Sequence, residues 1–169
     1  EHITFGDPDF FNGIGHARSV MKTVASRFPS LTYDVTIKVE HLLQYRQFIP
    51  ELCDTGCVFI TSAVESFDDV VLERFQKGHN RGDVERAVDI CRTAGVPIAP
   101  TFVAFNPWTT LDSYCDFLAE IDRLELVDNV APIQLGIRLL VTSGSHLLAL
   151  DDPDLCLGNY DESNLLYPW

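Results

Sequence analysis

The chain is 169 residues long, 46% hydrophobic and 22% charged, which suits one globular domain with a real core and excludes a disordered or fibrous chain. Its formal net charge of -13 excludes a sequence-independent grip on nucleic acid, which needs clustered Lys and Arg to neutralise phosphates. No apolar run approaches the roughly 20 residues of a membrane-spanning helix, and no basic-then-apolar leader opens the chain, so a cytoplasmic protein without a membrane segment is expected.

In chain order, residues 3–5 read as a short strand, followed by the polar turn Gly6, Asp7, Pro8 and Asp9. A helix is predicted over 14–28, with Ile14, Ala17, Val20, Met21, Val24, Ala25 and Phe28 on one face and Pro29 ending it. Residues 31–40 alternate as a strand, Tyr33, Val35, Ile37 and Val39 against Asp34, Thr36, Lys38 and Glu40. A helix through Leu42, Leu43, Phe48, Ile49 and Leu52 closes at Gly56.

Residues 58–60 form the next strand, which turns polar at Thr61, Ser62, Glu65 and Ser66. Ser66 suits an N-cap, Asp68 and Asp69 suit a first helical turn, and Gly78 suits a left-handed stop. Asn80 with Asp83 reads as a variant capping pair for a second helix, which runs through Val84, Ala87, Val88 and Cys91 and ends at Gly95. Residues 97–105 make another strand, Thr109 with Asp112 caps a helix through Leu111, Tyr114, Leu118 and Ile121, and residues 133–141 alternate as a last strand. The remainder from Ser145 on is turn-rich.

Strand and helix thus recur five times, each strand returning after roughly 25 to 40 residues, the length of a parallel crossover. Two α/β arrangements remain, an open doubly wound sheet and a barrel or partial barrel. An open sheet buries both faces, and Lys38, Glu40 and Arg138 would then be buried charges. A barrel with a polar ligand in its lumen accounts for them. The alternative is that these charges lie at strand ends and reach water.

Five cysteines, Cys53, Cys57, Cys91, Cys115 and Cys156, are an odd number without a secretion signal, so no disulfide framework is expected. Cys53 and Cys57 read as buried free thiols. Asp7 and Asp9 read as an ordinary turn, with a metal or acid-base pair as the functional alternative. His79 has no second His at metal spacing and reads as a loop residue. The chain starts at Glu1, is in an apolar strand by Ile3, and is expected to be a piece of a longer protein.

The run SAVESFDDVVLERFQKGHNRGDVERAVDICRTAG, with its E-S, K-G-H and terminal A-G, resembles the fourth strand-helix unit of radical S-adenosylmethionine (SAM) enzymes. Together with GDPDFFNG, TIKVEHLL, TSAVES, FVAFNPWTT and QLGIRLLVTSGSHLL, it is similar to a subgroup of that superfamily named for a CUAEP or CCAEP tail. The likeness covers nearly the whole chain, through LLYPW, although the tail itself is not in this sequence. It implies a parallel partial TIM-type (β/α) barrel, strands two to six of the core over residues 1–144 and a C-terminal extension over 145–169. The first strand and its C-x3-C-x2-C loop, which holds a 4Fe-4S cluster, would lie upstream, since Cys53 and Cys57 have that motif's first spacing but no third cysteine.

The resemblance further implies SAM as cofactor, cleaved reductively at the cluster to a deoxyadenosyl radical that takes hydrogen from an unknown small-molecule or peptide substrate, with this piece alone inert. Gly6 and Asp7 stand where many members carry G-G-E and would meet the SAM amino group. Glu40, Thr61, Ser62 and Glu65 would bond its ribose and carboxylate, and Arg81 would offer that carboxylate a cation. Phe105, Asn106 and Arg138 would face the adenine and the substrate. The missing first strand would expose an edge through which two copies could pair. Two other readings are a metal-dependent barrel hydrolase using Asp7, Asp9 and His79, and a non-catalytic α/β module binding a small anion.

Overall fold

The computed structural model describes residues 1–169. Strands β1 (His2–Thr4), β2 (Thr32–Thr36), β3 (Cys57–Glu65) and β4 (Ile98–Phe102) lie side by side in sequence order, every neighbouring pair parallel. Helices α1 (Ile14–Arg27), α2 (Val39–Gln44), α3 (Ile49–Asp54), α4 (Asp69–Arg74) and α5 (Arg81–Ala94) fill the crossovers, and α6 (Leu111–Arg123) follows β4. Parallel crossovers are right-handed, so strands laid down in unbroken order send every helix over the same face. A doubly wound sheet reverses its order at a switch point. This sheet does not, and its α/β winding is the barrel type.

Burial bears this out residue by residue. Val35, Ile60 and Ile98 are paired across three strands and belong to one apolar cluster with Met21 of α1, Leu42 of α2, Leu52 of α3, Val88 of α5 and Phe117 of α6. The adjoining row on the other face is Thr36, Thr61 and Ala99, half-buried, with two hydroxyls beside one methyl. One face of the sheet makes the core. The other carries hydroxyls.

Local chemistry sets the helix ends. Phe28 closes α1 just before Pro29, where the missing N–H and the ring forbid another turn. Asn80 and Asp83 form the reciprocal capping box of α5, and Gly95 ends that helix at φ 75°, which glycine adopts without a Cβ clash. Asp68 caps α4 by accepting from the Val70 and Val71 amides, while Ser66 Oγ accepts from the Asp68 amide one step earlier. The cap of α6 is Thr110 with Ser113, displaced by one residue from the expected Thr109 and Asp112.

Several expectations fail. The strand predicted over 31–40 stops at Thr36, and α2 starts at Val39 with Glu40 in its first turn, so neither Lys38 nor Glu40 is a strand residue. The helix through 42–52 is two helices, split by a 3-10 turn at Arg46–Phe48, with Pro50 opening α3. The last strand predicted over 133–141 does not form: Pro132–Gly136 is a 3-10 turn, and what remains of a strand is two isolated bridges, Phe105 to Arg138 in parallel and Val141 to Tyr167 antiparallel. Proline at the start and no continuous partner beyond β4 leave the first of these residues to a turn and the rest to isolated bonds with Phe105 and Tyr167. The charged residues that argued for a barrel therefore sit outside strands, and the winding stands on strand order and one-sided burial instead. No helix is long and apolar enough to cross a membrane.

Candidate functional site

The polar face ends in a tightly built corner. At the C-terminal end of β3 the pairing with β4 shifts register between Ala63 and Glu65, and Glu65 takes a left-handed φ of 70°. Such a conformation is costly for a residue with a Cβ. It is held by neighbours: the Val103 amide donates to the Glu65 carbonyl at 2.9 Å, and Lys77 Nζ pairs with Glu65 Oε1 at 3.1 Å. The loop after α4 folds back over the same strand end, where the His79 ring lies 3.1 Å from the Val64 carbonyl through Nε2. Gly78, at φ 68°, lets the Glu40 carboxylate lie against its backbone, where any Cβ would collide with Oε1.

Two clefts flank this corner. The smaller, about 250 Å³, opens above β2 and β3 and is lined by Lys38, Glu40, Ala63, Gln76, Lys77 and His79. It carries two lysines and one carboxylate. The larger, about 320 Å³, lies between the β3–α4 and β4–α6 connections and has aromatic walls at Phe67, Trp108, Tyr114 and Phe117 with Arg81 and Glu120 at its edge.

The sequence-predicted residues do not converge on one point. Gly6 and Asp7 are exposed in the loop after β1, where Asp7 Oδ1 accepts from the Asp9 amide at 2.9 Å, the ordinary Asx turn. Thr61 lies on the polar face and Glu65 at its rim, with Glu40 across the smaller cleft. Ser62 faces the other way, fully buried among the helices with its Oγ unpartnered. Arg81 turns outward: Nη2 donates to Glu120 Oε2 at 2.5 Å and Nε lies 3.6 Å from Glu85. Asn106 is buried, its Oδ1 accepting from the Trp108 amide and its Nδ2 donating to the Val103 carbonyl, which fixes a turn. Phe105 stacks on Tyr114 at 5.1 Å, and Arg138 is engaged by Trp169. Glu65, Arg81 and Asn106 do meet, at the larger cleft.

The electrostatics follow from these pairs. Hydrogen bonding from Arg123 holds the Glu120 carboxyl below its ordinary range, against its burial and with help from the Arg81 charge. Cys57 is buried on β3 and its thiol is pushed up to about 12, chiefly by burial. Cys53 is exposed, contrary to the expected buried thiol, and its Sγ faces the Gly95 carbonyl at 3.7 Å. This pair does not fit an iron-sulfur site, which needs accessible thiolates and a third cysteine. Nor do Asp7, Asp9 and His79 form a ligating group, because no three His, Cys, Asp or Glu side chains gather at metal distance. That removes the geometric basis of the hydrolase reading.

Sequence reasoning missed two pairings. Asp34, buried on the polar face of β2, accepts from Thr4 Oγ1 at 2.7 Å and faces His2 Nε2 at 2.9 Å. Asp9, also buried, faces His41 Nδ1 at 3.0 Å and so ties the loop after β1 to α2. The strand alternation put Asp34 on the polar side, which was the usable signal. Nothing local in the sequence joins positions 9 and 41.

No protein-family model matches the chain. It is 30% identical over 88 residues to the bacteriochlorophyllide d C-8(2)-methyltransferase of Chlorobaculum tepidum, 51% of this chain and 19% of that protein. Among solved structures it is similar to the cobalamin-dependent SAM radical enzyme OxsB with aqua-cobalamin and SAM bound, at a TM-score of 0.62, 17% identity, and coverage of 76% of this chain and 20% of that one. It is also similar to the radical SAM methyltransferase TsrM from Kitasatospora setae with cobalamin and a [4Fe-4S] cluster bound, at a TM-score of 0.61, 18% identity, and coverage of 73% and 26%. The fold is therefore one shared with these enzymes, and the chain spans about a fifth of the curated relative it matches.

Proposed function

We propose that the chain is part of the barrel of a radical SAM enzyme and that its polar sheet face, ending at Glu65, holds SAM. The observation that carries this reading is the one-sided sheet, whose winding is shared with a structure that binds SAM. Hydroxyls at Thr36, Thr61 and Thr101, with Glu40 and the two lysines of the smaller cleft, suit a ligand bearing ribose hydroxyls and an amino-acid group. Bound SAM supplies a sulfonium whose carbon–sulfur bond is opened by one electron or whose methyl is passed on. The chain's own part is to orient it: Thr61 as a hydrogen-bonding wall, Glu65 at the rim, and Lys77 as the cation held beside Glu65. Two cations stand near the SAM carboxylate in this reading, the predicted Arg81, paired with Glu120, and Lys77, paired with Glu65.

Iron and sulfide ligands belong to residues other than Cys53 and Cys57. A CUAEP/CCAEP-type subgroup and pairing of two copies through the open edge of β1 are part of the same proposal. The curated relative favours a second outcome, methyl transfer. The test takes the longer parent protein, reconstituted anaerobically with iron and sulfide and given SAM and dithionite, with mass spectrometry of the products. Deoxyadenosine is the expected product, S-adenosylhomocysteine marks methyl transfer, and Thr61→Val with Glu65→Gln should weaken SAM binding about tenfold or more. A protein that carries its cluster yet neither binds SAM nor forms either product overturns the proposal.

A further inference from the structure

The stretch from Val141 to Trp169 is held differently from the rest of the chain. It contributes no strand to the sheet, and its two buried apolar residues, Val141 and Leu147, lie outside the cluster that forms the core. What fastens it is polar. Arg74, at the end of α4, pairs through Nε with Asp152 Oδ2 at 2.7 Å, and its carbonyl faces His146 Nε2 at 2.9 Å. The Asp152 side chain is only 8% exposed. Burial works to raise its carboxyl, and the Asp154 amide and Arg74 bring it below the ordinary range.

The same Arg74 guanidinium lies 4.5 Å from the centre of the Trp108 ring, a cation–π contact, and Trp108 is a wall of the larger cleft. A second fastening closes the far end. Arg138 donates to the Trp169 carbonyl at 2.6 Å and covers the Trp169 ring at 4.2 Å, while Trp169 Nε1 donates to the Leu139 carbonyl.

We infer that residues 141–169 form a detachable strap, latched by Arg74–Asp152 and Arg138–Trp169, whose release loosens Trp108 at the wall of the larger cleft. Segments that bury little apolar surface open at a free energy well below that of global unfolding, and a partly buried charge-assisted pair sets how often this one does. The arrangement makes Asp152 a positioning residue for Trp108, acting through Arg74.

Hydrogen exchange read by mass spectrometry on the full chain tests this. In Asp152→Asn, exchange should rise roughly tenfold or more across 141–169 and at 106–109, with β3 unchanged, while Asp151→Asn, at an exposed neighbour, should leave all of them alone. Wild-type protein in mild denaturant gives an independent reading that needs no variant: the strap should exchange before β3 does. Exchange of the strap in step with β3, or no response to Asp152→Asn, overturns the inference.

Discussion

Along β3, Ile60, Ser62 and Val64 face the helices with no exposure at all, whereas Thr61, Ala63 and Glu65 on the opposite side are half-buried. The backbone is the same and the partners are the same. Only the parity of the position differs. What the contrast teaches is that packing is concentrated on one face of the sheet, so a substitution should affect stability according to which side it lands on.

The largest effect should come from truncating the covered side. Ile60→Ala leaves a hole in the closed core and should cost about 2–5 kcal/mol in urea unfolding, while Thr61→Ala, one position along, should stay within about 1 kcal/mol. Equal losses at the two positions would break the division of labour.

A second test uses pH. Tyr33, Cys57 and Cys91 all lie in the core cluster and are each pushed up to about 12, in every case chiefly by burial. Their folded values exceed the unfolded ones, near 9 for Cys and 10 for Tyr. Their contribution is therefore fully present below about pH 9 and is lost as pH climbs towards 12. The urea midpoint should fall over that window, and Cys57→Ala should flatten the fall. Iodoacetamide at pH 8 should label Cys53, Cys115 and Cys156 and spare the other two.

The smallest effect, and the sharpest, is at Ser62. Its hydroxyl is buried on the covered side without a partner, and a buried unpaired polar group costs free energy. Ser62→Ala should therefore be neutral or stabilising by up to about 1 kcal/mol, measured in the same unfolding experiment. A loss of about 2 kcal/mol would mean the hydroxyl is used.

Much of this division was visible in the sequence. The alternation Tyr33, Asp34, Val35, Thr36 gives both faces of β2 correctly, and the Asn80–Asp83 and Gly95 signals bound α5 because a capping box and a left-handed stop are local chemistry. Where the reading failed, period was ambiguous or partners were remote. Lys38, Val39 and Glu40 continue the strand alternation by accident, and only Leu42, three residues on from Val39, reveals the helix. Residues 133–141 alternate as well, but a strand needs a neighbour, and the sequence does not say that pairing will stop after one bridge. Pairings between remote elements were the least legible: Arg81 pairs with Glu120, which is supplied by α6, and no motif near Arg81 announces it.

The unbroken strand order has a kinetic side. His2 meets Thr32, Tyr33 meets Cys57 and Ile60 meets Ile98, so each pairing closes a loop no longer than a single crossover. None waits for a distant end of the chain. Loop-closure entropy is then spent in small instalments, and each new strand can dock on the one before it as it emerges during synthesis. The pathway this suggests is vectorial growth from β1 towards β4, with the Glu65 corner completed only when β4 arrives and its neighbour Val103 can hold the strained carbonyl in place.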